Sequence, residues 1–459
     1  MTVLPSRAMG RDAAAAALPV TAAAALGAAF AVSAWTYSPL LLPAGLAVIA
    51  LAAASITRPE VGVATGFVLV PLSNLGVTGQ PPWAFTAVWG AFLAALGVWR
   101  RLDGATPERV PPLTVIVLAN LLVAAVAFVL GGAVSNGYPE LRSLATGLLY
   151  FAAAALLIRT RREVMWALAG IAVCIAIVGL YAAYERYTGA APEQAFFTPG
   201  GSLVGRAAAG FGHANALGGF LVILIPFAIA GAVLSRRARI AFVLATALGV
   251  YGIYASFSRG AMIGLALVPF VFLRGRRLLV LAPALAALGA LLTPGLIRER
   301  FATLTESGSE VATRVDFWNT ALQIWQSHPV LGVGVGQFPT AYAEARVPGR
   351  GFLPGTISEP PPHAHNIILQ ALATEGLIGL LALGAVLVGA LLLAVRLRRS
   401  PSRTAAVLGS AGLASVLAFL FHNMFDVTLL EGTGIYFWAL LGILAGVATG
   451  AARSGRPEP

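Results

Sequence analysis

The chain has 459 residues, of which 58% are hydrophobic and only 10% are charged. Soluble globular domains carry about 25% charged residues, so this composition excludes an ordinary soluble protein. The formal net charge is +12, from 30 basic residues against 18 acidic ones. Such an excess can indicate nucleic-acid binding, so the positions of the arginines along the chain decide its meaning. The single cysteine excludes a disulfide framework.

Continuous apolar runs long enough to cross a bilayer recur along the chain. We therefore expect an all-α polytopic membrane protein with about 12 to 14 transmembrane helices. The predicted spans, taken in chain order, lie at 13–32, 40–57, 60–75, 83–99, 112–131, 141–158, 164–184, 213–234, 240–256, 260–273, 278–292, 365–395, 404–421 and 433–451.

The arginines are distributed unevenly between the connections that join these spans. One set of alternate connections holds 21 of the 30 basic residues, and the other set holds the remainder. Because Arg-rich short loops stay in the cytoplasm, this bias predicts that both termini are cytoplasmic. It also predicts that segments 185–212, 293–364 and 422–432 face outward. The net charge is therefore a topology signal, and we expect no nucleic-acid partner.

The long outward segment 293–364 separates N-terminal helices in 1–292 from C-terminal helices in 365–459, and we expect it to contain short amphipathic helices. Residues 313–326 are predicted to be helical, because apolar side chains recur there at spacings of three and four. These side chains are Val315, Trp318, Leu322 and Trp325. Two tryptophans on one stripe suit a helix in the lipid headgroup region, and packing on neighbouring helices is an equal alternative.

Three glycines alternate with valines after Pro329, at Gly332, Gly334 and Gly336. The spacing is superficially that of a nucleotide-binding loop. No strand, turn and helix follow in the order that such a loop requires, and the segment is predicted to face outward. We interpret it as a flexible and closely packed turn.

His363 and His365 stand where the outward loop meets a hydrophobic helix, after the prolines at 360–362. An imidazole at a helix start can move protons at neutral pH. We expect His365 to open the helix, with Asn366 capping or orienting it, and His363 to point elsewhere from an extended segment. Helix capping without catalysis is the alternative. We expect no metal site, because no carboxylate-rich neighbour completes the His-x-His pair.

Two outward arginines lie at the edges of predicted spans. Arg206 precedes a glycine-rich segment that ends at Asn215, and Arg259 lies in a tight turn between two short spans. An arginine near hydrocarbon needs an anionic partner, and its guanidinium fork matches phosphate oxygens. With a histidine at a helix start, the two arginines could form a phosphate-binding and proton-accepting site. Alternatively, each contacts lipid phosphates or pairs with an acid such as Glu375 or Asp426.

Four sequence blocks follow one another between about residues 200 and 380. They are Arg206…Gly210-Phe211-Gly212-His213-Ala214-Asn215-Ala216-Leu217; Phe257-Ser258-Arg259-Gly260-Ala261; Arg314…Trp318…Ala321…Pro329…Gly332-Val333-Gly334…Phe338; and His365-Asn366…Leu369…Leu372…Glu375-Gly376-Leu377-Ile378-Gly379. Their order resembles the O-antigen ligase and O-antigen polymerase superfamily of membrane glycosyltransferases. Members of that family often carry Pro-Asn at the position of Ala214-Asn215. The N-terminal half resembles the family only in hydropathy.

The resemblance implies metal-independent glycan transfer, without a cofactor, from an undecaprenyl diphosphate carrier at the outer leaflet of the cytoplasmic (inner) membrane. A ligase would use lipid A-core or another terminal sugar as acceptor. A polymerase would use a second lipid-linked repeat unit, with a chain-length regulator as a possible partner. The family's essential histidine matches His365, and its arginines match Arg206, Arg259 and Arg314. Three neighbours complete the candidate substrate-binding set, namely Asn215, Asn366 and His363.

This chemistry agrees with the residue types. Guanidinium groups would hold the diphosphate as it departs, and neutral His365 would take the proton of the acceptor hydroxyl. The positive end of the helix should keep this imidazole neutral. Inversion follows if the acceptor attacks opposite the diphosphate. A transporter or flippase of a lipid-linked substrate is the main rival, and it would show inverted repeats and broken helices. An envelope scaffold is a further alternative, and the choice between ligase and polymerase stays open.

Overall fold

The computed structural model describes residues 41–74, 82–103, 111–132, 134–190, 195–197, 201–273, 295–302, 310–345, 363–430 and 433–454. The helices before residue 190 are α1 (Leu41–Thr57), α2 (Pro59–Asn74), α3 (Pro82–Asp103), α4 (Pro112–Gly131), α5 (Val134–Leu157) and α6 (Arg161–Thr188). A short hairpin follows, in which β1 (Ala195–Phe197) pairs antiparallel with β2 (Leu203–Gly205). The later helices are α7 (Ala214–Leu234), α8 (Arg239–Ser256), α9 (Arg259–Phe272), α10 (Gly295–Ala302), α11 (Glu310–Ser327), α12 (Phe338–Ala345), α13 (Ile367–Arg398), α14 (Arg403–Asn423) and α15 (Gly434–Ser454).

This architecture confirms an all-α polytopic membrane protein. Within the described residues, seven helices are long and apolar enough to cross a membrane, and four shorter apolar helices accompany them. Every predicted span in that part of the chain contains a helix, whereas the spans at 13–32 and 278–292 lie outside it. The largest difference concerns the span predicted at 141–158, because α5 begins earlier, at Val134, and continues through Pro139.

Helix α7 occupies the centre of the bundle and is buried on almost every face. Small residues allow other helices to approach one another closely, as is usual within membranes. A Cβ atom on Gly442 of α15 would collide with the backbone oxygen of Phe151 in α5, and one on Gly446 with that of Ile158, directly after α5. This packing holds the N-terminal and C-terminal helices together.

Arginines from several connections cap the C-terminal ends of neighbouring helices, where backbone carbonyls lack partners and the helix dipole is negative. The hydrogen bonds run from Arg100 to Ile56 O (2.7 Å), from Arg161 to Leu234 O (3.0 Å), from Arg398 to Val271 O (2.6 Å) and from Arg403 to Val233 O (3.1 Å). These arginines lie at one end of the bundle. The candidate site residues lie at the other end, where α7, α9 and α13 begin.

Helix α11 covers the segment predicted to be helical at 313–326. Its protein-facing stripe is Phe317, Ala321 and Ile324, which pack against Phe338 and Tyr342 of α12. Two residues of the predicted stripe, Val315 and Leu322, lie on the outer side and are 43% and 37% exposed. Trp318 of the same stripe instead packs against this cluster and against the ring of Phe425, so the stripe is divided between the outer side and neighbouring elements.

Candidate active site

A cleft opens at the end of the bundle opposite the helix-capping arginines. Its volume is about 250 Å³, including the part open to solvent. The lining residues are Asn215, Ser258, Arg259, Gly260, Arg300, Arg314, His422, Phe425 and Asp426. This lining contains three guanidinium groups and one carboxylate, so the cleft suits an anionic ligand. The tertiary structure thus brings Arg259, Arg314 and Asn215 together, as the sequence predicted.

Arg206 reaches the cleft only through another residue. Its side chain is buried, its Nε donates to Ser256 O at 2.9 Å, and its Nη2 donates to Asn215 Oδ1 at 2.7 Å. Asn215 lines the cleft, whereas Arg206 is outside the lining set. The geometry therefore favours a positioning role for Arg206, in place of the direct contact with a diphosphate that was expected.

Glu185 holds the loop that carries Arg206. This buried carboxylate at the end of α6 accepts hydrogen bonds from Ala208 N and Ala209 N, both at 2.8 Å. Ala209 has a φ of 46°, a left-handed conformation that is uncommon for alanine. This role of Glu185 was not predictable from the sequence, because the residue stands at the end of an apolar span with no motif around it.

Half-buried His365 and buried Asp426 form a pair beside the cleft. His365 Nδ1 lies 3.3 Å from Asp426 Oδ1, slightly longer than an ideal hydrogen bond. The imidazole also stacks on the ring of Phe317, with centroids 5.6 Å apart and an interplanar angle of 20°. Phe317 belongs to α11, so the outward segment helps to fix the orientation of His365.

Asn366 caps α13, as expected. Its Oδ1 accepts hydrogen bonds from Ile368 N at 3.0 Å and Leu369 N at 3.1 Å. Its Nδ2 donates to Met424 O at 3.1 Å, in the connection that follows α14. Asn366 therefore joins the segment of His365 to the segment of Asp426.

His363 does not point away from His365, so that expectation was wrong. The two rings meet edge-on, with centroids 4.3 Å apart, and His363 is buried. The cause is the left-handed backbone at His365, where φ is 50° and the chain turns back on itself. Gln370 Oε1 stabilises this turn by accepting a hydrogen bond from Ala364 N at 2.9 Å.

The surroundings keep His365 neutral and Asp426 ionised. Burial lowers the pKa of His365, and the charges of His363 and Arg314 lower it further, against the opposing effect of Asp426. A neutral imidazole was expected at this position, and burial is the largest cause of its lowered pKa. For Asp426, burial opposes ionisation, yet the hydrogen bond from His365 and the nearby histidines hold its pKa well below the ordinary value.

His213, His363 and Asp426 form a group that could hold a metal ion, with potential ligand atoms within 4.8 Å of one another. This spacing is loose, because ligands bound at 2.0–2.2 Å from one ion lie at most about 4.4 Å apart. His213 Nδ1 accepts a hydrogen bond from Ala216 N, and His363 Nδ1 accepts one from His365 N. In each neutral ring the single proton is then on Nε2, which leaves that nitrogen without a lone pair for a metal. These contacts agree better with two histidines that donate to the carboxylate of Asp426 than with a metal centre.

The glycine-rich turn after Pro329 docks against a break in α13. Gly376 has a φ of 66° and a ψ of −161°, which interrupts the helix. Backbone hydrogen bonds of 2.9 Å fill the break, from Val333 N to Ala373 O, Gly334 N to Thr374 O and Leu377 N to Pro329 O. A Cβ atom on Gly332 would collide with the backbone of α13. The turn therefore ties the outward segment to the helix that begins beside His365.

A family model described as O-antigen ligase matches residues 244–384, just under a third of the chain. This part of the chain is similar to the O-antigen ligase family. The match supports glycan transfer of the ligase or polymerase type in general, with lipid-linked saccharides as the class of substrate. The matched region includes Arg259, Arg314 and His365, whereas Arg206 and Asp426 lie outside it. No curated protein gives a significant match to the sequence.

The structure adds three titratable residues to the candidate site that were not assigned to it from the sequence: Asp426, Arg300 and His422. Asp426 had been considered only as an ion-pair partner for an arginine. His422 is buried at the end of α14, where a Cβ atom on Gly219 or Gly260 would come within about 3 Å of its ring nitrogens. These two glycines are the signals in the sequence that go with the position of His422.

Proposed function

We propose that the protein transfers a glycan from an undecaprenyl diphosphate carrier to an acceptor hydroxyl at the outer leaflet of the cytoplasmic membrane. The observation that carries this proposal is the His365–Asp426 pair, whose carboxylate lines a cleft that also contains Arg259, Arg300 and Arg314. A general base and an anion-binding wall are the two elements that such a transfer requires.

His365 acts as the general base in this mechanism. Its Nδ1–H faces Asp426, so the lone pair of Nε2 can accept the proton of the acceptor hydroxyl. The ionised carboxylate of Asp426 then stabilises the imidazolium that forms, as in other carboxylate–histidine pairs. His363 and Asn366 stabilise the segment that carries His365, and they affect substrate binding only through the position of that segment.

The arginines act on the leaving group. The acceptor oxygen forms a bond to the anomeric carbon while the bond from that carbon to the diphosphate oxygen breaks, and the electron pair leaves with the carrier diphosphate. Arg259 and Arg314 stabilise this negative charge with charge-assisted hydrogen bonds, and Asn215 contributes its amide. Attack opposite the diphosphate inverts the anomeric centre. Because guanidinium groups supply the positive charge, the reaction is metal-independent.

The cleft faces outward in this proposal, and both termini are cytoplasmic. Support comes from the Arg-rich connections, which lie together at the opposite end of the bundle. Ser327→Cys at the end of α11 and Ser400→Cys after α13 should label from opposite sides of intact cells. Labelling of Ser327→Cys only after permeabilisation would reverse the orientation. The native Cys174 is buried and should not compete for the reagent.

A reconstituted transfer assay tests the activity itself. Purified protein in nanodiscs is given a glycan on undecaprenyl diphosphate, with either lipid A-core or a second lipid-linked unit as acceptor. Wild-type protein should form a joined product with one of them, which also separates ligase from polymerase. His365→Ala should lose about 10²- to 10⁴-fold in rate, and His363→Ala should lose much less. Full activity in His365→Ala would remove this histidine from catalysis.

The transporter alternative is tested in proteoliposomes, by measuring movement of the lipid-linked glycan between leaflets. A break in a membrane helix is typical of transporters, and α13 has one at Gly376. In this chain the turn from Pro329 to Gly334 fills the break with backbone hydrogen bonds. Transbilayer movement without transfer would overturn the glycosyltransferase proposal.

A further inference from the structure

Arg300 stands in the cleft although it belongs to none of the four sequence blocks. Arg300 is only 3% exposed, and it lines the cleft together with Arg259 and Arg314. Against these three cations, the described lining contains the single carboxylate of Asp426. A wall with this excess of positive charge suits a ligand with at least two negative charges, such as a diphosphate.

An aromatic ring and a backbone carbonyl hold the guanidinium of Arg300. Its Cζ lies 4.7 Å from the ring centroid of Phe196, and its Nε donates to Phe257 O at 3.4 Å. A guanidinium held over a ring face and by a backbone acceptor is restricted in its orientation, so its remaining N–H groups are restricted in their directions as well. Such preorganisation is useful in a site that must receive charge without rearranging.

The β1–β2 hairpin supplies that ring. Phe196 is buried and packs edge-on against Phe257, with centroids 5.1 Å apart. Val204 of β2 and Ile297 of α10 complete the same hydrophobic cluster. The hairpin therefore wedges between α10 and the turn that carries Arg259, and β2 leads directly into the loop of Arg206.

Arg259 and Arg300 are also joined directly. Arg259 Nη1 donates to the backbone oxygen of Arg300 at 3.3 Å, so the backbone of α10 sets the position of both residues. We propose that Arg300 is a further diphosphate-binding residue, and that Phe196 is the positioning residue that holds its guanidinium in the cleft. This inference rests on the proposed function and deepens it.

Binding of a prenyl diphosphate tests the inference without the complete reaction. Full-length protein in nanodiscs is titrated with geranylgeranyl diphosphate and, separately, with geranylgeranyl monophosphate. Arg300→Gln should bind the diphosphate roughly 10- to 100-fold more weakly, as expected for a lost charge-assisted hydrogen bond. The loss for the monophosphate should be smaller. The matched control is Arg298→Gln, an exposed position on the same helix, which should bind both lipids like the wild type.

The outcomes separate the two proposals. If wild-type protein binds no prenyl diphosphate, the proposed function fails, and the role of Arg300 fails with it. If wild-type protein binds and Arg300→Gln binds equally well, only the role of Arg300 is overturned. Equal weakening for both lipids would indicate a structural role and also overturn it.

Two milder variants keep the inference testable if Arg300→Gln fails to fold, as judged by thermal unfolding and size-exclusion chromatography. Arg300→Lys keeps the charge but loses the stacking plane, so it should weaken diphosphate binding several-fold; wild-type affinity would overturn the assignment. Phe196→Leu keeps the hydrophobic cluster but removes the cation–π contact, and it should weaken diphosphate binding in the same direction. An unchanged affinity in Phe196→Leu would overturn the positioning role of the hairpin.

Discussion

His365 Nδ1 lies 3.3 Å from Asp426 Oδ1. His365 precedes α13 in the chain and Asp426 follows α14, so the antiparallel helix pair brings the two residues together at one end. Asn366 holds the two segments together through its hydrogen bond to Met424 O. In the proposed mechanism the proton of neutral His365 is on Nδ1, which faces Asp426, and Nε2 is the basic atom. Four predictions follow from this pair and from the residues around it.

Asp426→Asn should lower the rate of transfer by up to about 10²- to 10⁴-fold, the range typical of general-base assistance. The amide can donate to Nδ1 and so favour the wrong tautomer, and it cannot stabilise an imidazolium. The measurement is the initial rate at saturating donor and acceptor, with thermal unfolding recorded alongside. Asp316→Asn is the matched control, since Asp316 accepts a hydrogen bond from Tyr342 and is outside the lining of the cleft. A wild-type rate in Asp426→Asn would show that Asp426 does not orient the base.

The rate should persist to lower pH than an ordinary histidine would allow. Burial lowers the pKa of His365 below its usual value of 6.5, so the neutral base is the main form at pH 7 and remains so somewhat below 6.5. The rate should fall only as the pH drops through this lowered pKa, because protonation removes the lone pair. The measurement is kcat as a function of pH. An inflection above 6.5 in the acid limb would contradict the assignment.

Arg206 and Asn215 should behave as one unit. Arg206→Lys cannot keep both hydrogen bonds, to Ser256 O and to Asn215 Oδ1, so it should lower the rate as Asn215→Ala does. If Arg206 acts through Asn215, the double variant should be little worse than the more severe single variant. Additive losses in this double-mutant cycle would instead indicate that Arg206 contacts the diphosphate directly.

Transfer should survive a chelator. The Nδ1 atoms of His213 and His363 already accept backbone hydrogen bonds, so their remaining nitrogens suit a carboxylate better than a metal ion. The rate is measured before and after treatment with EDTA and dialysis. A loss of activity that one divalent ion restores would place a metal at His213, His363 and Asp426, and it would replace the proposed mechanism.

Local sequence determined much of this protein. Long apolar runs specify membrane helices whatever their neighbours are, and periodic side chains specified the helix at 313–326. The cap formed by Asn366 was also predictable, because it involves the backbone only two and three residues ahead. The clustering of arginines between the predicted spans could also be recognised from the sequence, because it depends only on position along the chain.

Tertiary structure decided which of the polar residues meet. Asp426 pairs with His365, and Arg300 rests on Phe196, only because helices and a hairpin distant in sequence pack together. The contact between His363 and His365 depends on one left-handed residue, a backbone choice that hydrophobic pattern does not encode. Arg206 turns inward for a similar reason, because Asn215 and the end of α8 offer it hydrogen bonds that exist only in the folded bundle. Patterns of residues along a chain encode helices and strands and the faces that they bury. Packing decides which side chains of different helices and loops meet. The candidate site consists of side chains that meet in this way.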